Sequence, residues 1–216
     1  MLDASGIEII ILDFDGVIVE SNNIKDLAFE KIFDRFSEHK VDLWEYHKKN
    51  ISIPRHVKFD FLLEKTGRIN DTNFKNQLLA EFSNLTLELM RSVTFVKGAK
   101  DFLNEMHQKM PIYLVSVTPI NDLEIILDQL QIRSFFKGVY GCPPWNKPKA
   151  IRDILLKEHK SPLHTVLIGD SDGDQRAAKE TGIHFVARNS GLDFEEPYPS
   201  FIIPDLSGLS TFFKPA

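Results

Sequence analysis

The sequence predicts an α/β chain, with a parallel β-sheet flanked by helices and a small all-helical domain inserted after the first strand. Three observations predict it. Residues 7–12 and 165–169 are short runs that are apolar on both faces, as strands buried on both sides of a parallel sheet are. After about residue 93 such runs alternate with segments of helical periodicity. Between about Ser21 and Arg91 there is no strand pattern. The expected division is residues 1–19 and 93–216 as the α/β core and 20–92 as the helical insert.

The elements follow in order. The first strand, Ile7-Glu-Ile-Ile-Ile-Leu12, stops at Asp13-Phe-Asp15-Gly16, because Asp-Gly is turn chemistry. Ile24, Leu27, Ala28, Ile32 and Phe36 then recur at helical spacing. A polar, less regular patch around His47 to Asn50 follows, and Pro54 suits the start of another helix. Asp71 is a candidate N-cap for a helix presenting Phe74, Leu78, Phe82, Leu85 and Leu89. Gly98 precedes a helix with Phe102, Leu103 and Met106, and residues 112–117 read as a strand. Helix 121–131, a short strand at Val139-Tyr140 and helix 149–159 come next. Strand 165–169, helix 174–181 and strand 183–187 complete the alternation. Residues 200–203 fit an edge strand ended by Pro204. The insert leaves the sheet directly after the first strand, so it is expected beside the carboxyl edge, over Asp13.

Composition narrows the function classes. The chain has 216 residues, 43% apolar and 26% charged, which fits an ordinary globular protein. A net charge of -5 argues against a nucleic-acid groove. No run of about 18 apolar residues predicts a membrane span. The start, MLDASGIEII, lacks a basic segment followed by an apolar core, so no secretory signal is expected. Cys142 is the single cysteine, so no intrachain disulfide forms and a reducing cytoplasm suits the chain. Oligomeric state is left open.

Side chains suited to chemistry gather at the predicted strand ends. Asp13 and Asp15 close the first strand, Ser116 and Thr118 follow the second, Lys147 opens a helix, and Asp170 and Asp174 follow the strand at 165–169. The carboxyl edge of an open α/β sheet is where ligands bind. Carboxylates there need a cation or hydrogen bonds to offset their burial, and carboxylate oxygens are what Mg²⁺ prefers. A hydroxyl and an ammonium suit phosphate oxygens, and phosphoryl transfer rests on this combination of positioning and charge stabilisation. The first stretch taken alone fits a turn with two solvated aspartates equally well.

Together these residues resemble the haloacid dehalogenase-like superfamily in its phosphatase branch. The resemblance spans nearly the whole chain, through Asp-Phe-Asp-Gly-Val at 13–17, Ser116, Lys147 and Gly-Asp-Ser-x-x-Asp at 169–174. It implies a Rossmann-like core, and the insert resembles the helical cap of phosphoglycolate phosphatase-like members. It also implies roles. Asp13 is the nucleophile and a Mg²⁺ ligand. Asp15 is the general acid/base, with its backbone carbonyl on the metal. Ser116, with Thr118, binds the phosphoryl group, and Lys147 neutralises charge on Asp13 and the phosphate. Asp170 binds Mg²⁺ directly, and Asp174 directly or through water. Halide-releasing relatives lack the second aspartate, so Asp15 favours phosphate chemistry. Lys147 is preferred over Lys149 because Lys147-Pro148 matches the family's common Lys-Pro. Val17 and Glu20 depart from the commonest residues, which leaves the role of Glu20 open.

Arg55 and Lys58 in the insert are candidates for the substrate's non-reacting end, set against a solvated helix face. Trp145 fits either the site's entrance or packing on the sheet edge. His47, His107, His164 and His184 have no partner spacing and read as structural or surface residues, and Cys142 reads as packing. The expected function is Mg²⁺-dependent hydrolysis of a small-molecule phosphate monoester through an aspartyl phosphate. The alternatives are a sugar-phosphate mutase of the same fold and a non-catalytic phosphate-binding protein.

Overall fold

Each apolar run becomes a strand of one sheet in the computed structural model, which describes residues 6–213. Residues 1–5, part of the stretch read for a secretory signal, lie outside the described residues. The strands are β1 (Ile9–Leu12), β2 (Ile112–Val115), β3 (Gly138–Tyr140), β4 (Thr165–Gly169), β5 (His184–Arg188) and β6 (Ile202–Ile203). They form a six-stranded sheet in the order β3-β2-β1-β4-β5-β6, and every pairing is parallel. β1 is central and fully buried, which is why it is written almost entirely in isoleucine. The helices are α1 (Asn22–Phe33), α2 (Lys40–Lys49), α3 (Arg55–Lys65), α4 (Thr72–Met90), α5 (Ala99–Met106), α6 (Ile120–Gln129), α7 (Lys147–Glu158) and α8 (Asp172–Thr181). α7 and α8 cover one face of the sheet, where Ala150, Ile151, Ile154, Ala177 and Ala178 pack with Ile9, Ile11 and Leu167. No helix among the described residues is long and apolar enough to cross a membrane.

The chain divides into two compact units, one ending at Glu20 and resuming at Val93, the other Ser21–Ser92. The second unit is helical, with its own core of Phe29, Phe33, Phe59, Leu62, Leu78 and Phe82 among others. Asp71 caps α4 by accepting from the Phe74 amide at 3.0 Å.

Three local differences from the sequence expectations have physical causes. α2 replaces the irregular patch, because its buried residues are Leu43 and His47, and a buried histidine is invisible to an apolar periodicity. Leu27 is 45% exposed, and α1 instead buries Ile24, Ala28, Phe29, Ile32 and Phe33. β2 ends at Val115 rather than Val117, where the Ser116 hydroxyl accepts from the Thr118 amide at 3.0 Å and turns the chain out of the sheet.

Candidate active site

Register decides which residues meet. Leu12 lies level with Leu114 of β2 and Ile168 of β4, so three neighbouring strands deliver their next residues to one edge. From β1 comes Asp13, whose amide still donates to the Ile168 carbonyl at 3.0 Å. The chain then turns sharply. Gly16 has φ +70°, where a side chain is disfavoured, and its amide donates to the Val19 carbonyl at 2.8 Å. This turn carries Asp15, whose Oδ2 accepts from the Thr118 hydroxyl at 3.1 Å.

Two helix starts supply the rest. Asn146 caps α7 by accepting from the Lys149 amide at 2.9 Å, and Pro148 follows at the first turn. That start buries Lys147, with its Nζ 3.0 Å from Asp13 Oδ2 and 2.5 Å from Asp174 Oδ1. Lys149 is exposed, over the Trp145 ring. Trp145 itself packs edge-on against Tyr140 beside the sheet core. Asp174 is the third residue of α8 and accepts from both the hydroxyl (2.6 Å) and the amide (3.3 Å) of Ser171. Gly169 makes room for it, since a Cβ there would lie 2.3 Å from the Asp174 Cβ.

Asp13, Asp15, Ser116, Lys147, Asp170 and Asp174 are all buried. Burial above all, then the Asp174 charge, push the Asp13 carboxyl well above the ordinary carboxylate range, with Asp170 and Asp15 adding and Lys147 opposing. Burial works against the Lys147 ammonium, but Asp13 and Asp174 outweigh it and hold its pKa above the usual lysine value. One lysine therefore serves several carboxylates. Asp13, Asp170 and Asp174 each offer an oxygen within 4.8 Å of the others. Asp13 Oδ1 is buried with no hydrogen-bond partner among the described residues. An all-oxygen, under-neutralised set with an orphaned acceptor fits a hard divalent cation.

Arg55 and Lys58 both lie on α3 of the helical unit, and their side chains are engaged there. Arg55 donates to the Ser83 hydroxyl at 2.7 Å and lies over the Phe82 ring. Lys58 is 3% exposed, so it is not a solvated lysine. Its Nζ donates to His47 Nδ1 at 2.9 Å and to the Ile51 carbonyl, while His47 Nε2 is 2.8 Å from Asp26 Oδ1. Asp26 fixes the tautomer in which Nε2 carries the proton and Nδ1 accepts.

Burial first, then Lys25 and Lys48, push Lys58 down to about 7, against the pull of Asp26. The folded value lies below the unfolded one, so between about pH 7 and pH 10.5 the unfolded chain binds more protons. Stability is therefore expected to rise with pH in that window. The slope is at most about 1.4 kcal/mol per pH unit. Urea unfolding at several pH values checks it: wild type should gain on Lys58→Met from pH 7 to 9, and parallel curves would refute it. Burial likewise lowers the His47 pKa, so acid below the ordinary histidine range destabilises the unit as well.

The sequence reading missed two positions of the site. Ser171 is signalled by Ser171-x-x-Asp174, a capping-box pattern at a helix start. Asn146 is signalled as an N-cap one residue before Lys147-Pro148.

Comparison with known proteins identifies the relatives of this chain. The sequence profile described as haloacid dehalogenase-like hydrolase matches residues 10–188. A phosphoglycolate phosphatase of Pseudomonas putida is 28% identical over 148 residues, covering 64% of this chain and 54% of that protein. A phosphoglycolate phosphatase of Photobacterium profundum is 25% identical over 238 aligned positions, covering 99% of both chains. The crystal structure of a predicted phosphoglycolate phosphatase from Haemophilus somnus superposes with a TM-score of 0.78 at 16% identity, covering 97% of this chain and 99% of that one, a likeness of fold.

Proposed function

Because this chain belongs to the haloacid dehalogenase-like hydrolase family, we propose that it is a Mg²⁺-dependent phosphatase of a small-molecule phosphate monoester. The observation that carries this reading is Asp13, a buried carboxylate held by Lys147 on one oxygen and, among the described residues, without a hydrogen-bond partner on the other. A buried carboxylate in this state supports a role in attack over one in holding the fold. Asp13 forms a bond to phosphorus as the ester oxygen leaves, and Asp15 gives that oxygen its proton. Asp15, now a carboxylate, takes a proton from water, which attacks phosphorus and releases Asp13 and inorganic phosphate. Ser116, its Oγ accepting from the Thr118 amide, keeps its own proton to donate to a phosphoryl oxygen. Lys147 balances charge on Asp13 and the phosphoryl group. Asp13, Asp170 and Asp174 would hold Mg²⁺, with Asp15 contributing its carbonyl. Bound there, the metal supplies the positive charge that lets these carboxylates and a phosphate share one site.

Arg55 and Lys58 are kept as proposed contacts to the substrate's far end. A cytoplasmic location, consistent with the single cysteine, belongs to the same proposal. The test is inorganic phosphate release from a panel of phosphorylated metabolites, with phosphoglycolate first because the relatives described above carry that name. Assays are run with Mg²⁺, with EDTA, and with Asp13→Asn. Release that needs Mg²⁺ and vanishes in the variant supports the reading. Formation of a phosphate isomer without release would replace it by a mutase. An unchanged KM for Arg55→Ala on the best substrate would remove Arg55 from the site.

A further inference from the structure

β5 ends on Arg188, which is 8% exposed and which no motif in the sequence singles out. Its Nη1 donates to the Gly16 carbonyl at 3.1 Å and to Glu20 Oε2 at 3.0 Å. Its Nη2 donates to Glu20 Oε1, and its Nε to the Pro204 carbonyl at 3.2 Å. The guanidinium fork thus closes on both ends of the five-residue segment 16–20 that follows Asp15. Inside that segment the amides of Ile18 and Val19 donate back to the Phe14 carbonyl at 2.9 and 3.3 Å, and the Glu20 amide donates to the Thr94 carbonyl at 2.9 Å.

Resting on the reading of Asp15 as the proton-transferring group, we infer that Arg188 is a positioning residue that fixes the turn carrying Asp15 through the Gly16 carbonyl. Two considerations favour positioning over a plain ion pair. The Glu20 side chain is 43% exposed, and a pair with so wet a carboxylate contributes little stability. The Gly16 carbonyl bond is buried, and it fixes the residue that follows Asp15 directly in the turn. Asp15 is then held from two sides of β1: by Thr118, which follows β2, and through Gly16 by Arg188, on β5. Lysine presents its three donors from one nitrogen, so it does not span the positions that Nε, Nη1 and Nη2 of Arg188 reach.

The experiment measures kcat, KM and the pH–rate profile of Arg188→Met, Arg188→Lys and Glu20→Gln well below their melting temperatures, with Asp13→Asn alongside. Arg188→Met is expected to lower kcat about 10- to 100-fold with KM within about threefold, because catalytic groups displaced by about 1 Å lose rate on that scale. The shape of the pH–rate profile should change. Arg188→Lys should recover only a minor part of the loss. Glu20→Gln, which keeps an acceptor for Nη2, should stay within about threefold of wild type. If Arg188→Met does not fold, Arg188→Lys decides by the same readings. Wild-type kcat with an unmoved pH profile in a folded Arg188 variant overturns the inference, even if the melting temperature falls. In that case an inactive Asp13→Asn leaves the phosphatase reading intact. Substantial turnover by Asp13→Asn would overturn that reading and this inference together.

Discussion

Asp13→Asn is expected to lose at least about a thousandfold in turnover, the scale on which removal of a nucleophile acts, while its folded state is no less stable than wild type in metal-free buffer. The two halves of this result have one cause. Asp13 is buried among Asp15, Asp170 and Asp174, and burial with like charge works against its ionised form. Asparagine has nearly the same shape and no charge. Its amide oxygen can face Lys147 where Oδ2 stands, and its NH₂ can point from the place of the orphaned Oδ1. The substitution relieves electrostatic crowding and removes the attacking group. Thermal melts in EDTA and initial rates in Mg²⁺, on the same preparation, measure both halves. Turnover that fell only in proportion to the folded fraction would show that Asp13 supports structure, and the aspartyl-phosphate mechanism would fail.

This pairing of a site that disfavours its own charges with a sheet that holds them also decides what was legible in the sequence. β1 and β4 were readable because a strand buried on both faces has to be apolar throughout, and the aspartates were conspicuous where those runs stop. Lys147 and Asp174 were legible through motif order, but their contact, across 27 positions, was not. The His47, Asp26 and Lys58 network was illegible for a related reason. Its partners sit on three different helices, and a buried histidine or lysine reads as polar surface in any periodicity. Arg188 and Glu20 are 168 positions apart, and neither stands in a pattern that announces the other. Local chemistry was written locally; interactions made by the sheet's topology became visible only with the sheet.

Lys147→Met tests the electrostatics most severely. The ammonium is 8% exposed and lies against Asp13 and Asp174, so its removal leaves buried carboxylates facing one another. Breaking a buried pair from one side costs about 3–5 kcal/mol, because the remaining charge stays desolvated. That loss is expected in EDTA near pH 7, read by urea unfolding. It should shrink as pH falls. Without Lys147 to oppose burial, the Asp13 carboxyl titrates still higher, and protonation removes the repulsion. Mg²⁺ should recover more stability in the variant than in wild type, since a bound cation takes over the neutralising task of the lysine. The recovery should be smaller when Asp170→Asn removes one of the three clustered carboxylates. Turnover should nevertheless stay low in Mg²⁺, as nothing then balances charge on the phosphoryl group beside Asp13. A variant as stable as wild type in EDTA would mean that the ammonium does not offset the charge of these carboxylates. Lys147 would then be a spectator of the cluster rather than its counter-charge.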